Sequence, residues 1–172
     1  IYTYARPVNR HYAELHCASA FSFLEGASLP EDLVARAAEL GLETVALIDR
    51  NTVSGAPRFW KAARDVGIRP LVGAEVVLAD RPEHEMEAAT AQAERPPTLP
   101  GPLGLVPDPP PPGTPLPRLS LLAEDRRGYR NLCRLLTAAA RGRPKGAARA
   151  SWRQVEAPAE GLHCLTGGRE GV

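Results

Sequence analysis

The first chemical question in the chain is set by His16 and by Ala18, two residues on. The segment Tyr12–His16 reads as a strand that ends at the histidine. Residues two apart on a strand point to the same side, so a His-x-His pair there would aim two imidazoles at one metal ion. Position 18 instead offers a methyl group, which coordinates nothing. A second chemical feature is the run RGRPKGAAR, whose Arg141, Arg143, Lys145 and Arg149 suit phosphate oxygens whatever the base sequence. No aromatic residue interleaves with them, so base stacking is not implied. A solvated basic loop is the other reading, and the residues alone leave both open. His163 and Cys164 are neighbours in a strand pattern and read as packed or surface side chains rather than ligands. His11 and His84 lie in polar contexts and carry no assignment. Phe59 and Trp60 are adjacent on a helical pattern, so one belongs to the core and the other is half-exposed.

The elements that must position these groups fall into three parts. Residues 11–79 alternate strand and helix patterns. Ser28-Leu29-Pro30-Glu31 reads as a capping box with proline in the first turn. The helix after it carries Leu33, Val34, Ala37, Ala38 and Leu40 on one stripe, and Gly41 closes it. Thr44–Ile48 reads as a strand buried on both faces. A second helix spans about Gly55–Val66 and ends at Gly67. Pro70–Val72 and Glu75–Leu78 read as two strand segments split by Gly73. This alternation predicts a parallel sheet with right-handed crossovers.

Residues 80–117 differ in kind. Their first half is acidic and alanine-rich, and Pro96–Pro117 holds 11 of the chain's 18 prolines. Lacking backbone donors and large apolar groups, this segment reads as a solvated insertion of polyproline II character. A spacer, or a motif for a proline-binding module, would both suit it. Order resumes over 118–172, with a strand at Leu119–Ala123 and a helix capped by Asp125 that carries Tyr129, Leu132, Cys133, Leu135 and Leu136. A short helical turn starts at Ser151, and a strand at Leu162–Thr166 precedes Gly167-Gly168. From Arg126 to Arg153 there are nine Lys or Arg and no Asp or Glu, a local excess hidden by the net charge of +1.

With 172 residues and 44% hydrophobic content, the chain has room for one ordinary domain with a real core. Its three cysteines are odd in number and unpaired by motif, which argues against a disulfide framework and fits a reducing, cytoplasmic setting. No apolar run approaches the ~20 residues of a membrane span.

Taken in order, YAELHCASAFSFLEGAS, LIDRNTVSG, LVGAEVVL and LLAEDRRGYRNLCRLLT resemble the polymerase-and-histidinol-phosphatase (PHP) domain of bacterial C-family DNA polymerases, and within them the error-prone branch of damage-induced mutagenesis. The resemblance covers about Tyr12–Ala79 and Arg118–Gly168. It implies an α/β fold: a partial, distorted β/α barrel of parallel strands, interrupted by the proline-rich insertion. The parts would be a lead (1–11), the first barrel segment (12–79), the insertion (80–117) and a continued, truncated barrel (118–172).

Active members of the family gather His, Asp, Glu and Cys around metal ions that activate water for phosphoester cleavage. The resemblance carries that set onto His16, Ala18, Glu25, Asp49, Arg50 and Glu75. Ala18 and Arg50 stand where histidines are expected, leaving His16, Asp49 and Glu75 as weak ligand candidates. A permanent charge at Arg50 would disfavour a cation and instead pair with Asp49 or Glu75. As a buried pair, its loss would cost about 3–5 kcal/mol.

The resulting expectation is a non-catalytic region of an error-prone DNA polymerase, with no metal of its own; the parent enzyme would use Mg2+. Its partners would be DNA, the remaining polymerase domains, a sliding clamp and companion mutagenesis proteins. The competing readings are an active metal-dependent phosphoesterase or 3'-5' exonuclease, and a stand-alone interaction module.

Overall fold

The computed structural model describes residues 12–79 and 116–165. The lead, most of the proline-rich insertion, His11, His84, Thr166 and Gly167-Gly168 lie outside the described residues. In chain order the elements are β1 (Glu14–Cys17), α1 (Pro30–Glu39), β2 (Thr44–Arg50), α2 (Ala56–Asp65), β3 (Arg69–Val77), β4 (Arg118–Ala123), α3 (Arg126–Ala140), α4 (Trp152–Glu156) and β5 (Leu162–Leu165).

The strands form one five-stranded sheet in the order β1-β2-β3-β4-β5. β1, β2 and β3 run parallel, as the strand–helix alternation requires. β4 and β5 each run antiparallel to their neighbour, so the expectation of parallel strands throughout is corrected. The insertion explains the reversal. Leu78 N–H donates to Pro117 O at 2.9 Å, so the chain leaves β3 and re-enters β4 at adjoining points. A strand that resumes where its predecessor stopped can only run back alongside it. No pairing of β5 with β1 occurs among the described residues.

Side-chain alternation gives the sheet two different faces. One is covered by helices. Val45 and Leu47 of β2 pack with Val34 and Ala37 of α1 and Phe59 and Ala63 of α2. Ala74 and Val76 of β3, with Leu119 and Leu121 of β4, pack on Leu132, Leu135 and Leu136 of α3 and on Val155 of α4. The other face carries Ala46, Ile48 and Leu122, flanked by Leu15, Leu71 and Leu165. Among the described residues no helix covers it.

Local chemistry sets the boundaries. Asp125 caps α3 by accepting from Gly128 N–H at 2.7 Å, and Ser151 caps α4 with a reciprocal Gln154 contact, both as the sequence indicates. At α1 the expected Ser28–Glu31 capping box is one residue early. Leu29 is the N-cap residue, and its N–H donates to Asp32 at 3.2 Å. Glu31 pairs with Arg58 of α2 instead. Its own backbone amide, then Arg58, holds the Glu31 carboxyl below its usual pKa.

Phe59 is fully buried while Trp60 is 47% exposed, so the helical pair divides as expected. Gly73 does not split a strand but lies within continuous β3. A Cβ there would come within 2.1 Å of Leu121 O, so only glycine lets β4 approach so closely.

Candidate functional site

At the C-terminal ends of β2 and β3, consecutive residues open onto opposite faces of the sheet. Asp49 follows Val45 and Leu47 onto the helix side; Arg50 follows Ala46 and Ile48 onto the open side. Their surroundings differ accordingly.

Asp49 is 1% exposed, and among the described residues no cation pairs with it. Its carboxylate accepts from Ser19 N–H at 2.7 Å, from Ser19 Oγ at 2.8 Å and from Ser22 Oγ at 2.8 Å. The two hydroxyls are held in turn, since Phe21 N–H donates to Ser19 Oγ and Arg50 N–H to Ser22 Oγ. Three donors thus satisfy the oxygens of this buried side chain. Asp49 thereby clamps the turn after β1. The structure separates it from the other family-aligned residues: its oxygens are committed to the serines. Period two along the strand already implied that Asp49 and Arg50 could not serve one site together.

On the open side, four charged groups and a histidine meet. Arg50 Nη1 donates to Glu25 Oε1 at 2.5 Å, and its Nη2 to Phe23 O at 3.1 Å. Arg118 reaches Glu25 through both terminal nitrogens (2.8 and 3.2 Å) and Glu75 Oε2 at 3.0 Å. His16 Nε2 lies 3.3 Å from Glu75 Oε1. The side chains of Arg118 and Glu75 are 23% and 15% exposed, so part of this network is shielded from water. Burial alone would lower the Arg118 pKa, but hydrogen bonds to Glu25 and Glu75 and the attraction of both carboxylates more than reverse it, and the pKa is raised.

His16, Glu25, Arg50 and Glu75 are thus brought together, but Arg50 pairs with Glu25 rather than with Asp49 or Glu75. Ala18 is only part-buried and sits just past β1, which covers Glu14–Cys17 and so runs one residue beyond the expected strand end. The residue that sequence reasoning missed is Arg118. On a parallel strand, the first residue would lie at the far end of the sheet, beside Arg69. Antiparallel β4 pairs Arg118 with Val77 instead, diagonal to Glu75.

Near this site Asn51 ties three segments. Its backbone, at φ 52°, occupies the left-handed region that asparagine tolerates. Its N–H donates to Glu75 O (2.8 Å), its Nδ2 to Ala148 O (2.9 Å), and its Oδ1 accepts from Val77 N–H (3.0 Å).

The basic candidates divide between a helix end and a loop. Arg141 caps the end of α3; Arg143 and Lys145 lie in the turn beyond; Arg149 is pinned by its N–H to Ala139 O at 3.1 Å. His163 is exposed and faces Glu124 at 3.6 Å, and Cys164 is exposed, so neither gathers further donors. Among the described residues, no three His, Cys, Asp or Glu side chains are grouped to hold a metal ion. Nor is any helix there long and apolar enough to cross a membrane.

The described sheet, with helices on one face and acidic and basic groups at the ends of its parallel strands, is a mixed α/β fold of the PHP kind. Residues 14–172 match the family model described as PHP domain, and the chain belongs to that family. Relatives named error-prone DNA polymerase include one from Anaeromyxobacter sp. (strain K), 41% identical over 169 residues, and one from Mycobacterium tuberculosis, 43% identical over 162. Each alignment covers 93% of this chain and 12% of the relative, so the chain spans about an eighth of those proteins' length. A relative of the same name from Nocardia farcinica is 40% identical, over 96% of this chain and 16% of its own. Among solved structures, an amidohydrolase from Chromobacterium violaceum with bound sulfate and no metal aligns with a TM-score of 0.46 at 20% identity. That alignment covers 74% of this chain and 32% of the other.

Proposed function

We propose that this chain is the PHP region of a longer error-prone DNA polymerase, and that it serves the polymerase as structure rather than as a phosphoesterase. The observation that carries the reading is the pair of guanidiniums, Arg50 and Arg118, seated on Glu25 and Glu75. The donor set does not fit a divalent cation. The carboxylates that would receive it are already neutralised by two permanent cations, and those cations would repel it. The chemistry left to this cluster is charge pairing, which joins residues 16, 25, 50, 75 and 118 at one end of the sheet.

In this reading, the region's partners are the remaining polymerase domains and, through the parent polymerase, DNA; a sliding clamp and companion mutagenesis proteins belong to the wider assembly. Elemental analysis of the desalted chain tests the metal half of the reading. The expected result is no stoichiometric zinc or manganese, and one tightly held ion per chain would overturn it. Catalytic polymerase assay of the natural full-length product, which should be Mg2+-dependent, tests the other half.

A further inference from the structure

We propose that the exposed face of α3, with the start of α4, is a binding surface for the DNA phosphate backbone. The inference rests on the polymerase reading for its choice of polyanion, but the surface itself stands on geometry. Arg130 and Arg134 lie at i and i+4 on α3, on the side opposite Leu132, Leu135 and Leu136, and Arg141 follows at i+11 as the residue that caps the helix end. At ~1.5 Å rise per residue, Arg130 and Arg134 are about 6 Å apart along the axis.

The three arginines line one open concavity of about 530 Å³ together with Thr137 and Gln154. No acidic side chain lines it, and none of the three guanidiniums has an ion-pair partner among the described residues. This contrasts with Arg118 and Arg50, whose charges are each matched.

The neutral groups also suit an anion. Gln154 lines the hollow, and its Oε1 accepts from Ser151 N–H at 2.9 Å, so its amide hydrogens are what it has left to offer a ligand. Three like charges around one hollow repel one another until an anion enters. Arginine rather than lysine at all three positions favours forked recognition of phosphate oxygens. No aromatic lines the hollow, so the surface reads backbone and not bases. Sequence alone pointed to the loop Arg141–Arg149; the proposed patch is centred one to three turns back along the helix and shares only Arg141 with it.

The test is fluorescence anisotropy of the chain with a labelled duplex of about 20 base pairs, titrated from about 50 to 200 mM salt. Two variants are compared with the wild type. One is R130Q/R134Q/R141Q on the helix; the other is R143Q/K145Q/R149Q in the loop. The helix variant should lose about 2 to 3 units of slope in log K against log salt, and at least tenfold in affinity, while the loop variant loses less than one unit.

Thermal melting should show both variants folded, because the substituted side chains are outside the core. The inference is overturned if the loop variant carries the loss, if the helix variant keeps the wild-type slope, or if the wild type does not bind. It is also overturned if polyglutamate of equal charge competes as well as DNA, which would mark the face as a dock for acidic protein. Each of these results leaves the Arg50–Arg118 cluster and the metal analysis untouched, so the two proposals fail separately.

Discussion

Asp49 and Glu75 are acidic residues at the ends of neighbouring strands, yet they are stabilised in opposite ways. Asp49 lies on the helix side, is almost wholly buried and is satisfied by two serines and one amide. Glu75 lies on the open side and shares a network of cations with Glu25, within reach of water. A buried carboxylate with neutral donors fixes the turn packed against it, here across 27 to 30 residues of sequence. A part-buried carboxylate paired with cations also joins distant segments, but each pair is weakened by the solvent that reaches it. The comparison separates what holds the fold from what shapes the surface.

The strongest test of that contrast is Asp49→Ala. Leaving three buried donors without an acceptor should cost about 3 kcal/mol or more. Asp49→Asn keeps one acceptor oxygen and should recover part of the loss. Urea denaturation gives both numbers, and an Asp49→Ala loss under about 1 kcal/mol would contradict the role of Asp49 as a clamp.

Arg118→Ala should come next, at about 1–2 kcal/mol, because it removes the bridge between Glu25 and Glu75 from a partly shielded setting. Arg50→Ala should cost less, about 1 kcal/mol or below, since its side chain is 33% exposed and the cost of a broken buried pair does not apply. If the two rank the other way in the same denaturation experiment, Arg50 and not Arg118 organises the cluster.

Salt should separate the two stations without mutating Asp49 further. At 1 M NaCl the Debye length falls to about 3 Å, so the gap in melting temperature between wild type and Arg118→Ala should shrink markedly. The gap between wild type and Asp49→Ala should hardly change. Equal shrinkage of both would mean that Asp49 is reached by solvent.

The smallest effect concerns Cys17, which faces the helix side while its neighbour His16 faces the open side. Burial first, and the Glu14 carboxylate second, push the Cys17 thiol up to about 11 from an ordinary 9.0. The folded chain therefore holds that proton more tightly than the unfolded chain. Its contribution to stability is whole below pH 9 and is lost as pH rises towards 11. At pH 8 the thiolate fraction should be about a hundredfold below that of the unfolded chain. Alkylation followed by peptide mass mapping, with and without urea, measures this. A Cys17 as reactive folded as unfolded would show the helix side open at β1.

Much of this was legible from residue types alone. The apolar stripe of α3 at Leu132, Leu135 and Leu136, the Asp125 and Ser151 caps, the parallel β1–β2–β3 unit and the split roles of Phe59 and Trp60 all follow from short-range periodicity; on α1 the expected stripe is buried at Val34 and Ala37, while Ala38 and Leu40 are exposed. What the sequence hid was long-range. The reversal of β4 depends on where the chain returns after residues 80–115, and no local pattern encodes that point. Arg118 was hidden for the same reason, since a strand's direction decides which end of the sheet its first residue reaches. Gly73 read as a break because glycine usually is one; its reason here is a neighbouring carbonyl that arrives from beyond the insertion. Asp49 is the exception. Its separation from Arg50 was available from strand alternation, and aligning it with a family ligand set obscured it.

Asn51 has a mechanical consequence. Its side-chain amide grips Ala148 on the basic loop and Val77 on β3, while its backbone grips Glu75. These bonds act as a rivet through three layers of chain. A tug on the loop that leads away from α3 is delivered to β3 through this side chain and, beside it, through the backbone bonds of Ala150 with Val77 and Ala79. The loop after α3 and the strand end that carries the arginine–glutamate cluster are therefore geared to one another, and whatever loads the first strains the second.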